Sequence, residues 1–387
     1  MVGLIVKKTE FKFPVGYHDF HKDQVFNYQM NRWYSMGYAR MEDMKEAATN
    51  IENFADWKRE MLKQAEKAAS DDRMINAAFY YRAAEFYLLY NDPEKETLYD
   101  KFSELFYQAF ADDEIERFKV PFEDSFLPIM KITGETNKAG ENKGTIVLHG
   151  GFDSFIEEFY SWMRYFADHG YDVVAFEGPG QGAARKKHGL PFNWQWEKPT
   201  AAILDYFHLD DVTWLGISMG GWLCFRAAAF EPRIKRVIAS GIAYDYMKFP
   251  NYFAQQLGKL FFHHFRNYSN KVSLKQIEKG GVDGWSISNL MYITDKKTPM
   301  EAFDVAEQMN AENIHSELVK QDVLILTGRE DHFIPFKMHS MQVKALTNAS
   351  SVTARVFTQE DQAQNHCQVG NIGLALGTML KWIESVV

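Results

Sequence analysis

A Gly-x-Ser-x-Gly segment at 216–220 constrains this chain more than any other feature of its sequence. The apolar run 212–217 before it predicts a buried strand, and 222–230 predicts a helix that ends before a proline. Strand, tight turn and helix in this order hold a serine in a strained conformation above the edge of a sheet. The two glycines suit a turn in which backbones cross closely. We interpret Ser218 as a nucleophile; the alternative is a glycine-rich turn between a buried strand and a helix.

Strand-like and helix-like segments alternate through much of the chain, which predicts the α/β class, with a mostly parallel sheet wrapped by helices. The predicted strands are 145–148, 172–176, 212–217, 237–240, 323–327 and 352–357. The predicted helices between and after them are 155–169, 199–207, 222–230 and 373–386.

Two regions depart from this alternation. Residues 1–118 have apolar residues at helical spacing, so we expect a helical N-terminal cap domain followed by a catalytic domain over 119–387. Residues 246–320 contain no convincing core strand, and an aromatic-rich helix is predicted over 251–265. An insertion this long between two strands is expected to be a helical cap over the strand ends, where α/β sheets bind ligands.

The composition narrows the class of partner. The formal net charge is -9 and there is no basic tail, which argues against nucleic acid. Two cysteines, Cys224 and Cys367, are too few for a disulfide framework, and no apolar run reaches the length of a membrane span. We therefore expect a cytoplasmic protein with no membrane association. Aromatic residues make up 15% of the chain, so some could line a cavity for a small apolar or aromatic substrate.

A serine nucleophile needs a base to take its proton and an acid to orient that base. Asp331 lies in the loop after the predicted strand 323–327, and His366 follows the last predicted strand. The order Ser218, Asp331, His366 is the one expected for a Ser-Asp-His triad on such a sheet. Glu330 adjoins Asp331 and remains an alternative acid, and His332 is the competing base.

The oxyanion donors should come from the turn after an early strand and from the residue after the nucleophile. A His-Gly-Gly-Phe-Asp turn at 149–153 follows the predicted strand 145–148. Its candidates are the backbone N–H groups of Gly151 and Phe152, and the candidate after the nucleophile is that of Met219.

The glycine-rich segment 177–182 does not have the spacing of a dinucleotide-binding fingerprint, because position 183 is alanine where a glycine is required. The histidine pair at 263–264 has no metal-ligand spacing around it. We therefore expect no cofactor and no metal.

Taken together, these residues resemble the α/β-hydrolase superfamily. More narrowly, they resemble the branch that contains 2,6-dihydroxypseudooxynicotine hydrolase and the fungal polyketide-shortening hydrolases. The segments that carry this narrower resemblance are 80–84 with 92–93, 150–153 with 157–158, and 176–182.

The resemblance implies a helical domain that caps the catalytic sheet, often in a homodimer, and hydrolysis of an ester or of a carbon–carbon bond beside a ketone. It also implies an accessory acidic residue near the site, for which Asp245 and Glu177 are candidates. Acylaminoacyl or prolyl-type peptidases share the catalytic domain and form the second alternative, although this N-terminal region has no propeller repeat. Two further alternatives are a non-catalytic binding protein with this fold and a helical-domain interaction protein based on residues 40–110.

Overall fold

The N-terminal part of the chain is helical. The computed structural model of the protein describes residues 9–136, 142–249, 258 and 262–386. The first five helices are α1 (Gln24–Ser35), α2 (Met41–Ala48), α3 (Phe54–Ser70), α4 (Met74–Phe86) and α5 (Glu94–Ala109). Aromatic rings fill the space between them, and Tyr38 stacks on Phe79 with ring centroids 3.5 Å apart. Asp23 begins α1, because its carboxylate accepts a hydrogen bond from the N–H of Val25.

An eight-stranded sheet follows. Its strands are β1 (Glu116–Phe122), β2 (Ser125–Ile132), β3 (Thr145–His149), β4 (Asp172–Phe176), β5 (Val212–Ile217), β6 (Ile234–Ser240), β7 (Asp322–Gly328) and β8 (Ser351–Phe357). Their spatial order is β1-β2-β4-β3-β5-β6-β7-β8. The hairpin β1–β2 is antiparallel, and β3 to β8 run parallel. The predicted α/β class is confirmed. The boundary predicted between residues 118 and 119 falls inside β1, and the division into two domains stays a prediction.

Further helices cover the sheet. They are α6 (Tyr160–Asp168), α7 (Gly182–Lys186), α8 (Glu197–Phe207), α9 (Gly220–Phe230), α10 (Arg266–Lys279), α11 (Gly281–Thr294), α12 (Pro299–Ala306), α13 (Lys337–Ala345) and α14 (Ile372–Val386). Across the described ranges, none of these or the earlier helices is long and apolar enough to cross a membrane.

The central strands are apolar on both faces because helices cover both sides of the sheet. On β3, Ile146 and Leu148 pack into the core shared with the N-terminal helices and α6. Val147 points the other way, into the core beneath α8 and α9. All six residues of β5 are buried, so this strand brings its carboxyl end to the centre of the molecule.

The segment between β6 and β7 contains α10, α11 and α12, and its described residues include no strand. Of the helix predicted over 251–265, residues 251–257 and 259–261 lie outside the described residues. Helix α11 lies against the N-terminal helices, since the indole N–H of Trp285 donates to the carbonyl of Phe86 at 2.8 Å. The insertion and the N-terminal helices therefore meet above the carboxyl ends of the strands.

Candidate active site

Ser218 occupies the sharp turn between β5 and α9. Its φ is +61°, a left-handed conformation that costs energy for a residue with a side chain. The turn is closed by a hydrogen bond from the N–H of Gly221 to the carbonyl of Ser218, at 2.8 Å, and the N–H of Ser218 donates to the carbonyl of Ser240 on β6, also at 2.8 Å. A Cβ on Gly216 would lie 2.0 Å from the carbonyl oxygen of Gly220, so only glycine fits there. The strained turn predicted for this segment is therefore present.

His366 and Asp331 lie beside Ser218. The Nε2 atom of His366 is 2.9 Å from the Ser218 Oγ, and its Nδ1 atom is 2.7 Å from the Asp331 Oδ2. The other oxygen of Asp331 accepts from the N–H groups of Phe333 and Ile334, both at 2.9 Å. These bonds fix the carboxylate, which in turn fixes the imidazole with its Nδ1–H toward Asp331 and Nε2 free to accept from Ser218. The structure thus brings together the three residues predicted as a triad.

The neighbouring alternatives do not reach His366 or Ser218. Glu330 turns outward and accepts a hydrogen bond from the side-chain amide of Gln359 at 2.8 Å. The ring of His332 packs against Tyr28, with centroids 4.8 Å apart, and neither of its nitrogens has a hydrogen-bond partner within the described part of the chain. Burial lowers the pKa of His332 to about 4, with a smaller contribution from His366.

Burial and charge act in opposite directions on His366, which is 6% exposed. Burial is the largest single effect and lowers its pKa, but the Asp331 carboxylate and the neighbouring Cys367 together outweigh burial and hold the pKa well above its ordinary value. The pair therefore stabilises the imidazolium form, which is the form a base reaches when it takes a proton from serine.

The turn at 149–153 packs directly against the start of α9. A Cβ on Gly151 would lie 2.7 Å from the backbone nitrogen of Met219. The N–H of Gly151 points to the hydroxyl of Ser154 at 3.4 Å, so this group already has a partner. Phe152 and Met219 both line the cavity that contains Ser218. The N–H of Gly151 is thus engaged by Ser154, and Phe152 and Met219 stay the predicted oxyanion donors.

The side chain of Gln181 holds the 149–153 turn in place through hydrogen bonds, a role that the sequence did not reveal. Its side chain is 4% exposed, and its Nε2 donates to the carbonyl oxygens of Gly150 and Gly151, at 2.8 and 3.2 Å. Its Oε1 accepts from the N–H of Gly178 at 3.1 Å. The segment 177–182 therefore supports the turn.

The two acidic residues considered as accessory groups lie elsewhere. Asp245 begins a short 3-10 helix and accepts from the N–H groups of Met247 and Ala311, at 2.9 and 3.2 Å. Glu177 is 2% exposed and accepts from the N–H groups of Ile156 and Ala183, at 3.1 and 2.6 Å. Burial raises the pKa of Glu177 to about 8, and the nearby Glu157 adds to the rise.

Neither carboxylate is among the described residues that line the cavity containing Ser218. Both carboxylates already accept hydrogen bonds from backbone N–H groups, so these side chains hold loops in place. The expectation that Asp245 or Glu177 reaches the site is therefore not supported by their positions.

A cavity of about 510 Å³, the main cavity, opens next to Ser218. The N-terminal helices, the 149–153 turn and α11 all contribute to its walls. Most of its lining is apolar or aromatic, including Tyr28, Phe86, Phe152, Trp162, Trp285 and Phe333. A cavity of this size and composition suits a small, largely apolar organic molecule.

The charged residues on its wall, Arg32 of α1 and Asp153 of the turn, were not predicted. Arg32 donates from Nη1 to Asp153 at 3.1 Å and from Nη2 to Glu158. The Nε of Arg82 donates to the other oxygen of Glu158 at 2.8 Å. No local pattern marks Arg32, because its partners lie far along the chain.

Comparisons with known proteins concern the fold and the family of this chain. Residues 145–280 match the family model described as the alpha/beta hydrolase fold. Hydrolase ORFZ of Pyricularia oryzae is 26% identical over 273 residues, which are 60% of this chain and 64% of that protein. Hydrolase acrC of Aspergillus aculeatus is 25% identical over 315 residues, 71% of this chain and 70% of that protein.

A third relative is 20-hydroxy-prefusarin hydrolase FUS2 of Gibberella moniliformis, 32% identical over 214 residues. The match covers 47% of this chain and 51% of that protein. The chain therefore spans less than two thirds of the length of ORFZ and of FUS2.

Two solved structures resemble the fold over nearly its whole length. The 2,6-dihydroxy-pseudo-oxynicotine hydrolase superposes with a TM-score of 0.65 at 20% identity, and the match covers 92% of this chain and 95% of that one. AbyA5 superposes with a TM-score of 0.68 at 16% identity, covering 94% and 96%. At these identities the likeness concerns the fold.

Proposed function

We propose that this chain is a serine hydrolase of the α/β-hydrolase superfamily, which its similarity to that family's model and to fungal hydrolases supports. Its nucleophile is Ser218, its base His366 and its orienting acid Asp331. The observation that carries the proposal is the unbroken line of hydrogen bonds from Asp331 through His366 to Ser218, at the wall of an apolar cavity.

In the first step the Ser218 Oγ attacks the substrate carbonyl while its proton passes to His366 Nε2. The N–H groups of Phe152 and Met219 stabilise the negative charge that develops on the carbonyl oxygen by donating hydrogen bonds to it. His366 then gives the proton to the departing alkoxide or carbanion, leaving Ser218 acylated. Water, deprotonated by the same imidazole, releases the acid and restores the serine.

The bond cleaved is an ester or a carbon–carbon bond beside a ketone, in a small apolar or aromatic molecule. The lining of the main cavity supports an apolar substrate, because mostly hydrocarbon side chains surround Ser218. The relatives' names support hydrolysis and leave the bond open. The cytoplasmic location, the homodimer and the two-domain organisation remain predictions.

Labelling with a fluorophosphonate tests the nucleophile directly. Wild-type protein should be labelled, whereas Ser218→Ala should not be labelled and should lose several orders of magnitude in turnover. Ser350→Ala, which removes an exposed serine, is the matched control and should behave as wild type. Unchanged labelling of Ser218→Ala would overturn the proposal.

The bond is identified with a panel of p-nitrophenyl esters, β-diketones and acyl-peptides. Turnover of the first or second group is the expected result. Faster turnover of the acyl-peptides would instead indicate a peptidase, and the absence of any turnover together with no labelling would indicate a binding protein.

A further inference from the structure

The main cavity has a single carboxylate among the described residues of its lining, and it belongs to Asp153. About 27% of this side chain is exposed, whereas most of the wall around it is hydrocarbon. A polar group placed in an apolar wall costs free energy unless it is hydrogen-bonded. Asp153 is therefore the charged acceptor on this wall at which a polar part of a ligand would be recognised, while Gln29, whose buried Oε1 has no partner among the described residues, is a neutral acceptor there.

Neighbouring charges hold Asp153 in place. Its Oδ1 accepts from Arg32 Nη1 at 3.1 Å, and its backbone carbonyl accepts from Arg82 Nη2. The second carboxylate oxygen, Oδ2, has no hydrogen-bond partner within the described residues. Asp153 thus presents one fixed acceptor that its own surroundings leave unsatisfied.

The charges around Asp153 determine which ligand groups fit. Arg32 is the only lysine or arginine among the described lining residues, and its guanidinium is already shared between Asp153 and Glu158. An anionic ligand group would be repelled by the Asp153 carboxylate, because no free cation lies beside it to compensate. A hydroxyl or an amine, in contrast, would donate to Oδ2 and complete its hydrogen bonding.

We propose that Asp153 forms a donor-selective subsite, so that the substrate is a largely apolar molecule carrying one hydroxyl or amine at a distance from the bond that is cleaved. This inference rests on the proposed function and narrows its substrate class. Asp153 acts in substrate specificity and takes no part in proton transfer at Ser218.

The test compares matched esters that differ only at the far end of the acyl chain. p-Nitrophenyl esters with a terminal methyl, hydroxyl, ammonium or carboxylate group are prepared over a range of chain lengths. At the best length, kcat/KM of the hydroxyl or ammonium ester should exceed that of the methyl ester by about tenfold or more, because a hydrogen bond to a charged group is being discriminated. The carboxylate ester should be the slowest. The hydroxyl and ammonium series show which donor the subsite prefers.

Asp153→Asn is the informative variant. Asparagine keeps an oxygen to accept from Arg32 but replaces Oδ2 by an NH2 group, which is a donor. The preference for the hydroxyl or ammonium ester over the methyl ester should fall to about one. Asp283→Asn removes the same charge from an exposed position on α11 and should leave the ratio unchanged. Because the readout is a ratio between two substrates of one variant, a general loss of activity does not affect it.

Two results would overturn the inference: an unchanged ratio in Asp153→Asn, or a wild-type preference for the methyl ester at every length. If no ester is hydrolysed, the proposed function fails for esters, but the subsite is still measured by binding. Tryptophan fluorescence of Ser218→Ala, with Trp162 and Trp285 in the cavity wall, reports the affinity for ω-hydroxy and ω-methyl ketones. Equal affinity for the two ketones would contradict the subsite.

Discussion

The side-chain amide of Gln181 donates to the carbonyl oxygen of Gly151 at 3.2 Å. That carbonyl belongs to the same peptide group as the N–H of Phe152, and in a trans peptide the two point in opposite directions. By holding the carbonyl, Gln181 turns the N–H of Phe152 away from itself. The direction of one proposed oxyanion donor is thus set by a side chain that does not reach the main cavity.

Gln181→Glu should lower kcat by about 10- to 100-fold, with a smaller change in KM. Glutamate can still accept from the N–H of Gly178, but it places a second oxygen against the carbonyls of Gly150 and Gly151. The resulting repulsion should displace the peptide that carries the Phe152 N–H, and a lost oxyanion donor costs mainly kcat. Steady-state kinetics on any ester that the protein hydrolyses provides the measurement.

A trifluoromethyl ketone separates this positioning role from a loss of folding. Its affinity should fall in parallel with kcat, while the pH at which His366 titrates should not move. Gln108→Glu introduces the same charge on the exposed surface of α5 and should be silent. A change confined to KM would contradict the role given to Gln181.

The pH dependence of kcat/KM should report His366. Only the neutral imidazole can take a proton, and the Asp331 carboxylate raises the pKa of His366. Activity should therefore be lost on acidification with a midpoint above the ordinary value of about 6.5 for histidine. A pH–rate profile measured over the range in which the protein remains folded gives this midpoint.

Asp331→Asn is the matched variant for that profile. It keeps a side chain of similar shape but removes the charge, so the midpoint should move to lower pH. Turnover should also fall by about 10³- to 10⁴-fold, because the imidazole is no longer held in the required tautomer. An unchanged midpoint would mean that another group controls the acid limb.

Arg82→Met should destabilise the folded protein by about 3 kcal/mol or more. The Arg82 side chain is 1% exposed and lies between Glu85 and Glu158, which are equally buried. Removing it breaks two buried ion pairs, although Glu85 keeps Lys95 and Lys186 and Glu158 keeps Arg32. Breaking a buried pair by removing one partner is expensive. Urea unfolding provides the free energy. Lys101→Met breaks an exposed pair with Glu104 and should cost about 0.5 kcal/mol or less.

Gly216→Ala should destabilise by about 2 kcal/mol or more, since the added methyl group meets the backbone carbonyl of Gly220. The control is Gly377→Ala on α14, where the nearest atom to the new Cβ is the Tyr165 hydroxyl at 3.6 Å. There alanine should stabilise by about 0.5 to 1 kcal/mol through helix propensity. Equal effects of the two substitutions in urea unfolding would contradict the close approach in the turn.

Local patterns were sufficient to predict the six parallel strands of the sheet, but not the antiparallel hairpin β1–β2. Parallel strands buried on both faces are continuous apolar runs, and 212–217 and 323–327 are of this kind. The order of Ser218, Asp331 and His366 also carries information, because the carboxyl ends of parallel strands meet at one edge of the sheet.

The ion pair between Arg32 and Asp153, unlike the triad, could not be predicted. Arg32 and Asp153 are 121 residues apart, and nothing near either marks the other. The resemblance implies an accessory acid, for which Asp245 and Glu177 are candidates, yet their carboxylates accept hydrogen bonds from nearby backbone N–H groups. Whether a carboxylate faces a ligand or a loop depends on side-chain packing, which spacing does not encode.

The hydroxyl of Tyr28 donates to the carbonyl of His366, across 338 residues of sequence. During synthesis, helix α1 leaves the ribosome long before the histidine loop exists. A nascent chain that has not reached residue 366 lacks both this contact and the proposed base, so it can neither close this side of the cavity nor take the proton of Ser218. Activity toward the substrate is therefore expected only after the histidine loop has emerged from the ribosome.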